Sequence, residues 1–121
     1  MPAPSPRLNL VVLRSADIER AAAFYREMGL SFTLHSHGTG PQHYSSVVDG
    51  LVFELYPSTA KSSLTTGTRI GFKVDSVDKI VELLSKIGAK INTPPTDSEW
   101  GRRAVISDFD GHVIELITPK G

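Results

Sequence analysis

Two glutamates set in the same seven-residue frame are the residues of this chain best placed to do chemistry. Asp49-Gly50-Leu51-Val52-Phe53-Glu54-Leu55 returns as Asp110-Gly111-His112-Val113-Ile114-Glu115-Leu116, identical at five of seven positions. Each copy puts one carboxylate into an otherwise apolar strand. A carboxylate in a ligand-sized hollow can act as a general base once desolvation lifts its pKa toward neutrality, or it can ligate a hard cation. Glu54 and Glu115 are therefore the candidate catalytic residues, and the candidate ligands if a metal is bound.

The frame is part of a longer repeat. Glu54 and Glu115 are 61 residues apart, while Gly29 and Gly88 are 59 apart, as are Asp17-Ile18 and Ser76-Val77. An interval this long describes two supersecondary modules made by duplication, with one half of the chain copying the other.

The elements that must position the glutamates follow the same order twice. A strand is expected from Leu8 to Arg14, then a helix in which Ile18, Ala21, Ala22, Phe24, Tyr25 and Met28 recur at helical spacing, with Asp17 at its start and Gly29 at its stop. Strands follow near Leu30 to His35, Tyr44 to Val48 and Leu51 to Tyr56, separated by the turn chemistry of His37 to Pro41 and Asp49-Gly50. The polar connector from Pro57 to Gly67 leads to a strand over Arg69 to Asp75. A helix marked by Val77, Ile80, Val81, Leu83, Leu84 and Ile87 closes at Gly88. Further strands are expected at Lys90 to Asn92, Arg103 to Ser107 and His112 to Thr118. Thr93-Pro94-Pro95-Thr96 predicts an irregular, exposed loop down to Trp100. The division is one domain over residues 1–121, with βαβββ modules at 8–56 and 68–119 joined by the connector 57–67; the class is α+β.

Strand alternation assigns the faces. Ile70, Phe72 and Val74 suit the helix side, leaving Arg69, Gly71 and Lys73 on the other. Phe53 and Leu55 go with the helix, and Val52, Glu54 and Tyr56 with the opposite face, as do Val113, Glu115 and Ile117. Leu10, Glu54, Arg69 and Glu115 are then four equivalent points on a pseudo-symmetric sheet surface, and a concave surface of this kind is where a small molecule binds.

Composition narrows the partners. Thirteen basic and thirteen acidic residues cancel, and there is no cysteine. The balance leaves no basic footprint for nucleic acid, and the absent thiols exclude disulfides, thiolate metal sites and a cysteine nucleophile. No apolar run reaches the roughly 20 residues of a membrane span. Met1 to Arg7 reads as a tail without an apolar signal segment, so a cytoplasmic location without nucleic-acid or membrane partners is expected. Gly38-Thr39-Gly40 is not followed by a helix and so is no phosphate loop, and no nucleophile elbow is present.

In their order and spacing these pieces resemble the vicinal oxygen chelate superfamily of glyoxalase I, bleomycin and fosfomycin resistance proteins and extradiol dioxygenases. The carriers are Leu8-Asn9-Leu10-Val11-Val12 with Ala16-Asp17-Ile18-Glu19-Arg20 and Phe24-Tyr25; Val52-Phe53-Glu54-Leu55; Ile70-Gly71-Phe72-Lys73-Val74-Asp75-Ser76-Val77-Asp78; and Trp100-Gly101-Arg102 running into Asp108-Phe109-Asp110-Gly111-His112-Val113-Ile114-Glu115-Leu116. The resemblance implies paired βαβββ modules forming a half-barrel sheet around a cavity, in a homodimer. It also implies four metal-ligand places, which fall on Leu10, Glu54, Arg69 and Glu115.

Two of those places cannot ligate. Leucine has no donor atom, and arginine stays protonated with no lone pair to give. An Arg69 guanidinium can instead take over the ion's task by bridging one or both carboxylates. The expected cofactor is therefore none, and the expected function is binding of a small organic molecule, with Arg69, Trp100, Leu10, Tyr56 and Lys73 around it. Trp100 would serve as an aromatic wall, Tyr44 and Tyr56 more weakly so. Two other readings stay open: a lyase, isomerase or dioxygenase-like enzyme in which Glu54, Glu115 and a histidine hold zinc, nickel, manganese or iron, and a metal-free enzyme with a glutamate base. His35, His37 and His43 form the one histidine cluster, flanking a Gly-Pro turn where polar residues are ordinary. His112 points away from the cavity face.

Overall fold

The computed structural model describes residues 4–121; Met1, Pro2 and Ala3 of the expected tail lie outside them, and Pro4 to Arg7 are exposed and without regular structure. The chain runs β1 (Leu10–Ser15), α1 (Ile18–Glu27), β2 (Thr33–His35), β3 (His43–Val48), β4 (Leu51–Pro57), β5 (Arg69–Lys73), α2 (Val77–Lys86), β6 (Lys90–Ser98), β7 (Gly101–Ser107) and β8 (Val113–Pro119). This is βαβββ twice, in two four-stranded sheets ordered β1-β4-β3-β2 and β5-β8-β7-β6. In each sheet the first strand pairs in parallel with the fourth and the remaining pairs are antiparallel.

Local chemistry sets the boundaries. The Asp17 side chain accepts from Arg20 N at the start of α1, and Ser76 accepts from Lys79 N at the start of α2, each satisfying an otherwise orphaned amide. Both helices stop at a glycine with left-handed backbone, Gly29 at φ 109° and Gly88 at φ 89°. Asp49 and Gly50, both at positive φ, make the two-residue hairpin between β3 and β4.

The core lies between the helices and the helix-facing sides of both sheets. Leu13, Phe53 and Leu55 from the first module join Ala104, Ile106, Ile114 and Leu116 from the second around Ala22, Phe24, Tyr25 and Leu84. Helix α1 packs on α2. The Tyr25 ring stands edge-on to Phe53 with centroids 5.1 Å apart and lies 6.3 Å from Phe72, so one aromatic side chain ties the two sheets together. Phe24 and Tyr25 are core residues, as their helical spacing predicts.

One expectation fails here. The segment expected to be an irregular loop is strand: β6 continues through Pro94 and Pro95 to Ser98 and pairs with β7, with register shifts around Thr93. Proline cannot donate to a ladder, but β6 is an edge strand, and the irregular register absorbs the missing donors. No helix among the described residues is long and apolar enough to cross a membrane.

Candidate functional site

The register places the polar face of the second sheet residue by residue. Gly71 lies beside Glu115 and Lys73 beside Ile117, while on the other flank Val105 faces Glu115 and Arg103 faces Ile117. Ala104 and Ile106 turn into the core. By alternation Arg103 and Val105 share the outward side with Glu115.

There Glu115 is gripped from both sides. Arg69 Nε donates to its Oε2 at 2.8 Å, and Arg103 donates to its Oε1 through Nη2 at 2.6 Å and Nε at 3.1 Å. The Arg69 hydrogen bond, followed by that of Arg103, holds the carboxyl down at about 2 against the upward push of its partial burial. This overturns the expectation of a carboxyl raised toward neutrality: Glu115 is a fixed anion rather than a poised base. Gly71, Lys73, Arg103, Glu115 and Ile117 line an open cleft of about 340 Å³. Gly71 leaves the centre of that floor without a side chain. Among the described residues no ion pair engages Lys73, so two cations, Lys73 and Arg103, line the cleft against one carboxylate, and that carboxylate is further neutralised by Arg69, which is not among the lining residues.

Glu54 is elsewhere. It lies on the first sheet between Val12 and Ser45, and its neighbour is His43, with Nε2 to Oε2 at 3.4 Å. Arg69 thus bridges one carboxylate and not both. Among the described residues no hydrogen bond or ion pair links Glu54 to Arg69 or to Glu115. Leu10 sits at the β1 edge, about half exposed, and Tyr56 stacks on the His43 ring with centroids 4.2 Å apart. Trp100 stands at the β6–β7 hairpin tip, 67% exposed and outside the cleft. Tyr44 is buried in the core, its hydroxyl donating to Glu19 at 2.7 Å, and so walls no cavity.

His112 points inward, as expected, and belongs to a buried network. Its Nδ1 lies 2.6 Å from Asp108 Oδ2, which also accepts from the Tyr25 hydroxyl at 2.6 Å. Its Nε2 meets the Thr65 hydroxyl at 2.6 Å, and that hydroxyl also accepts from Arg14 N. Asp, His and a hydroxyl in series superficially form a nucleophile relay. Yet the Thr65 oxygen is occupied, held between the two modules by Arg14 N and His112 Nε2. With Asp110 Oδ1 accepting from Ala16 N, the network is a latch that fixes the connector and the second module onto the first.

The model of the Glyoxalase/Bleomycin resistance protein/Dioxygenase superfamily matches residues 7–116. The chain belongs to that superfamily. A protein of Mycolicibacterium smegmatis described as uncharacterized is 22% identical over 112 residues, covering 93% of each chain. Among solved structures, TnmS3, an antibiotic binding protein from Streptomyces sp. CB03234, is 24% identical with a TM-score of 0.78 over 98% of this chain and 99% of that one. A hypothetical protein from S. aureus is 20% identical with a TM-score of 0.77 over 96% and 95%. TioX from Micromonospora sp. ML1 is 22% identical with a TM-score of 0.73 over 95% and 100%. These likenesses fix the fold.

The four metal places that the resemblance implies, Leu10, Glu54, Arg69 and Glu115, do not suit a divalent ion as they stand. Leu10 offers no atom to bind, and an ion at Glu115 would meet two guanidinium groups already bonded to both carboxylate oxygens. Sequence reasoning identified Arg69 but missed Arg103. Its alternation with buried Ala104 was readable, but its reach to Glu115 depends on β7 lying next to β8, which only the sheet order gives.

Proposed function

We propose that this protein binds a small organic anion against the second sheet, metal-free at the superfamily's usual metal position, as a homodimer in which a second copy helps to close the cavity. The observation that carries the reading is the fork of Arg69 and Arg103 on Glu115 beside Lys73, which no ion pair engages among the described residues. Guanidinium pairs recognise carboxylate and phosphate oxygens with defined geometry, and Glu115 fixes their orientation before a ligand arrives. The cleft's 340 Å³ is of the size that small-molecule sites occupy.

Binding fits the residues better than catalysis. Glu115 held ionised at about 2 is a poor base at neutral pH, since little driving force remains for taking a proton. An antibiotic binding protein of the same fold is the precedent for a cavity used to hold a molecule. The dimer is supported by what one chain leaves open: β1 and β5 are unpaired sheet edges, and Leu8, Leu10 and Val47 are exposed apolar side chains.

The test is a binding screen of carboxylate- and phosphate-bearing small molecules against wild type, Arg69→Ala and Arg103→Ala, with chelator present. Saturable binding that survives chelation and falls at least tenfold in either variant is the expected result. Binding or turnover that disappears on chelation and on Glu115→Gln would overturn the reading.

A further inference from the structure

The polar face of the first sheet carries a different constellation. Arg14 and Tyr56 are register partners, as are His35 and His43, so these four align across β1, β4, β3 and β2. His43 is 2% exposed and stacked on Tyr56. The rings of His37 and His35 lie 5.3 and 5.8 Å from that of His43.

The hydrogen bonds of His43 determine what it presents. Its Nδ1 lies 3.3 Å from the Pro41 carbonyl oxygen, which can only accept, so Nδ1 carries a proton. In the neutral ring the lone pair is then on Nε2. That atom is buried and has no hydrogen-bond partner among the described residues. Glu54 Oε2 lies 3.4 Å away, longer than the roughly 2.7–2.9 Å of a charge-assisted bond. Two acceptors thus confront each other across a gap that lacks an electrophile.

A metal ion fits that gap. With metal–nitrogen and metal–oxygen bonds of about 2.0–2.2 Å, two ligands of one tetrahedral ion are separated by roughly 3.3–3.5 Å. A ligating histidine typically gives its other ring N–H to a carbonyl or carboxylate, as His43 does to Pro41. The rings of His37 and His35, 5.3 and 5.8 Å from that of His43, supply the further imidazoles, but among the described residues no third donor atom yet lies within 4.8 Å of both His43 and Glu54, so a histidine must turn its nitrogen toward the ion. His37 is exposed and followed by Gly38 in a left-handed turn, so its side chain is free to swing onto an ion.

We infer that His43 and Glu54, completed by His37 and His35, form a site for a borderline divalent transition-metal ion such as zinc, nickel or cobalt. The site is separate from Glu115 and from the anion cleft. Imidazole nitrogens with one carboxylate suit these ions and not magnesium or calcium.

The experiment uses tag-free full-length protein, stripped with chelator and titrated with Zn(II) by calorimetry and with Co(II) by visible absorption. One ion per chain is expected, with Co(II) showing the intense d–d bands of tetrahedral coordination. His37→Ala, on an exposed side chain, weakens binding at least tenfold, as does Glu54→Gln, while Glu115→Gln leaves it unchanged. Absence of saturable binding, or binding that persists unchanged in Glu54→Gln, overturns the inference; the latter outcome marks surface histidines acting alone. An ion lost in Glu115→Gln but kept in His37→Ala would instead overturn the metal-free reading of the superfamily position.

Discussion

Tyr25 of the first module reaches Asp108 of the second, hydroxyl to carboxylate oxygen at 2.6 Å, with both residues buried. Burial pushes the Asp108 carboxyl up, but hydrogen bonds from His112 and Tyr25 outweigh it and hold the group below its ordinary value. Tyr25→Phe keeps the ring that touches Phe53 and Phe72 and removes only the hydroxyl. It should cost about 1–3 kcal/mol. A carboxyl depressed in the folded state contributes stability above its unfolded value near 3.8, and that contribution fades as pH falls through the folded value. The gap between variant and wild type should therefore narrow in acid. Urea midpoints followed from pH 7 down to the acid limit of folding decide it; a gap that stays constant over that whole range contradicts the assignment.

Glu115 gives a second acid-range prediction. Its carboxyl titrates at about 2 in the wild type, and in Arg69→Ala it should rise toward 4.5 while staying below it, because Arg103 still donates. Carboxyl carbon shifts followed by NMR against pH read this directly. Any stability from this pair is full above 4.5 and lost as pH falls toward 2. A Glu115 titration that does not move in Arg69→Ala means the fork does not persist in solution.

Gly101 opens β7 at φ 139°, and a Cβ added there would lie 2.2 Å from the Thr118 carbonyl oxygen. That contact is with backbone, which cannot swing aside. Gly101→Ala should therefore destabilise by more than about 2 kcal/mol, whereas Gly29→Ala, with open space around its Cβ, should show only the backbone strain of about 1–2 kcal/mol. Thermal melts of the two variants side by side provide the comparison, and equal losses refute it.

Val47 projects from the polar face of the first sheet, 75% exposed. If that face is covered by a second copy, Val47→Asp should yield monomers by sedimentation while leaving the circular dichroism spectrum unchanged. A wild type that sediments as a monomer at high micromolar concentration rules out the proposed assembly.

Much of the fold was legible because its signals are local. Asp17, Ser76, Gly29 and Gly88 mark helix ends through bonds to neighbours within a few residues, and the alternation of Phe53, Glu54 and Leu55 fixes a face without reference to any other strand. Signals that depend on neighbours in space were missed. Pro94-Pro95 reads as a break unless β6 is known to be an edge. Arg103 looks like a solvated charge until β7 is known to lie beside β8. His43 groups with His35 and His37 by sequence proximity, and nothing local distinguishes the buried one.

The Thr65 contact has a consequence for how the chain can be taken apart. Thr65 holds the end of the connector to Arg14 on one side and His112 on the other, while residues 59–64 contribute nothing to the shared core. A backbone cut between Ser62 and Ser63 would leave two βαβββ halves, each keeping its own sheet, with the Tyr25 wedge and the Asp108 latch intact between them. Co-expressed as separate polypeptides, the halves should recombine, making this duplicated chain a natural split protein.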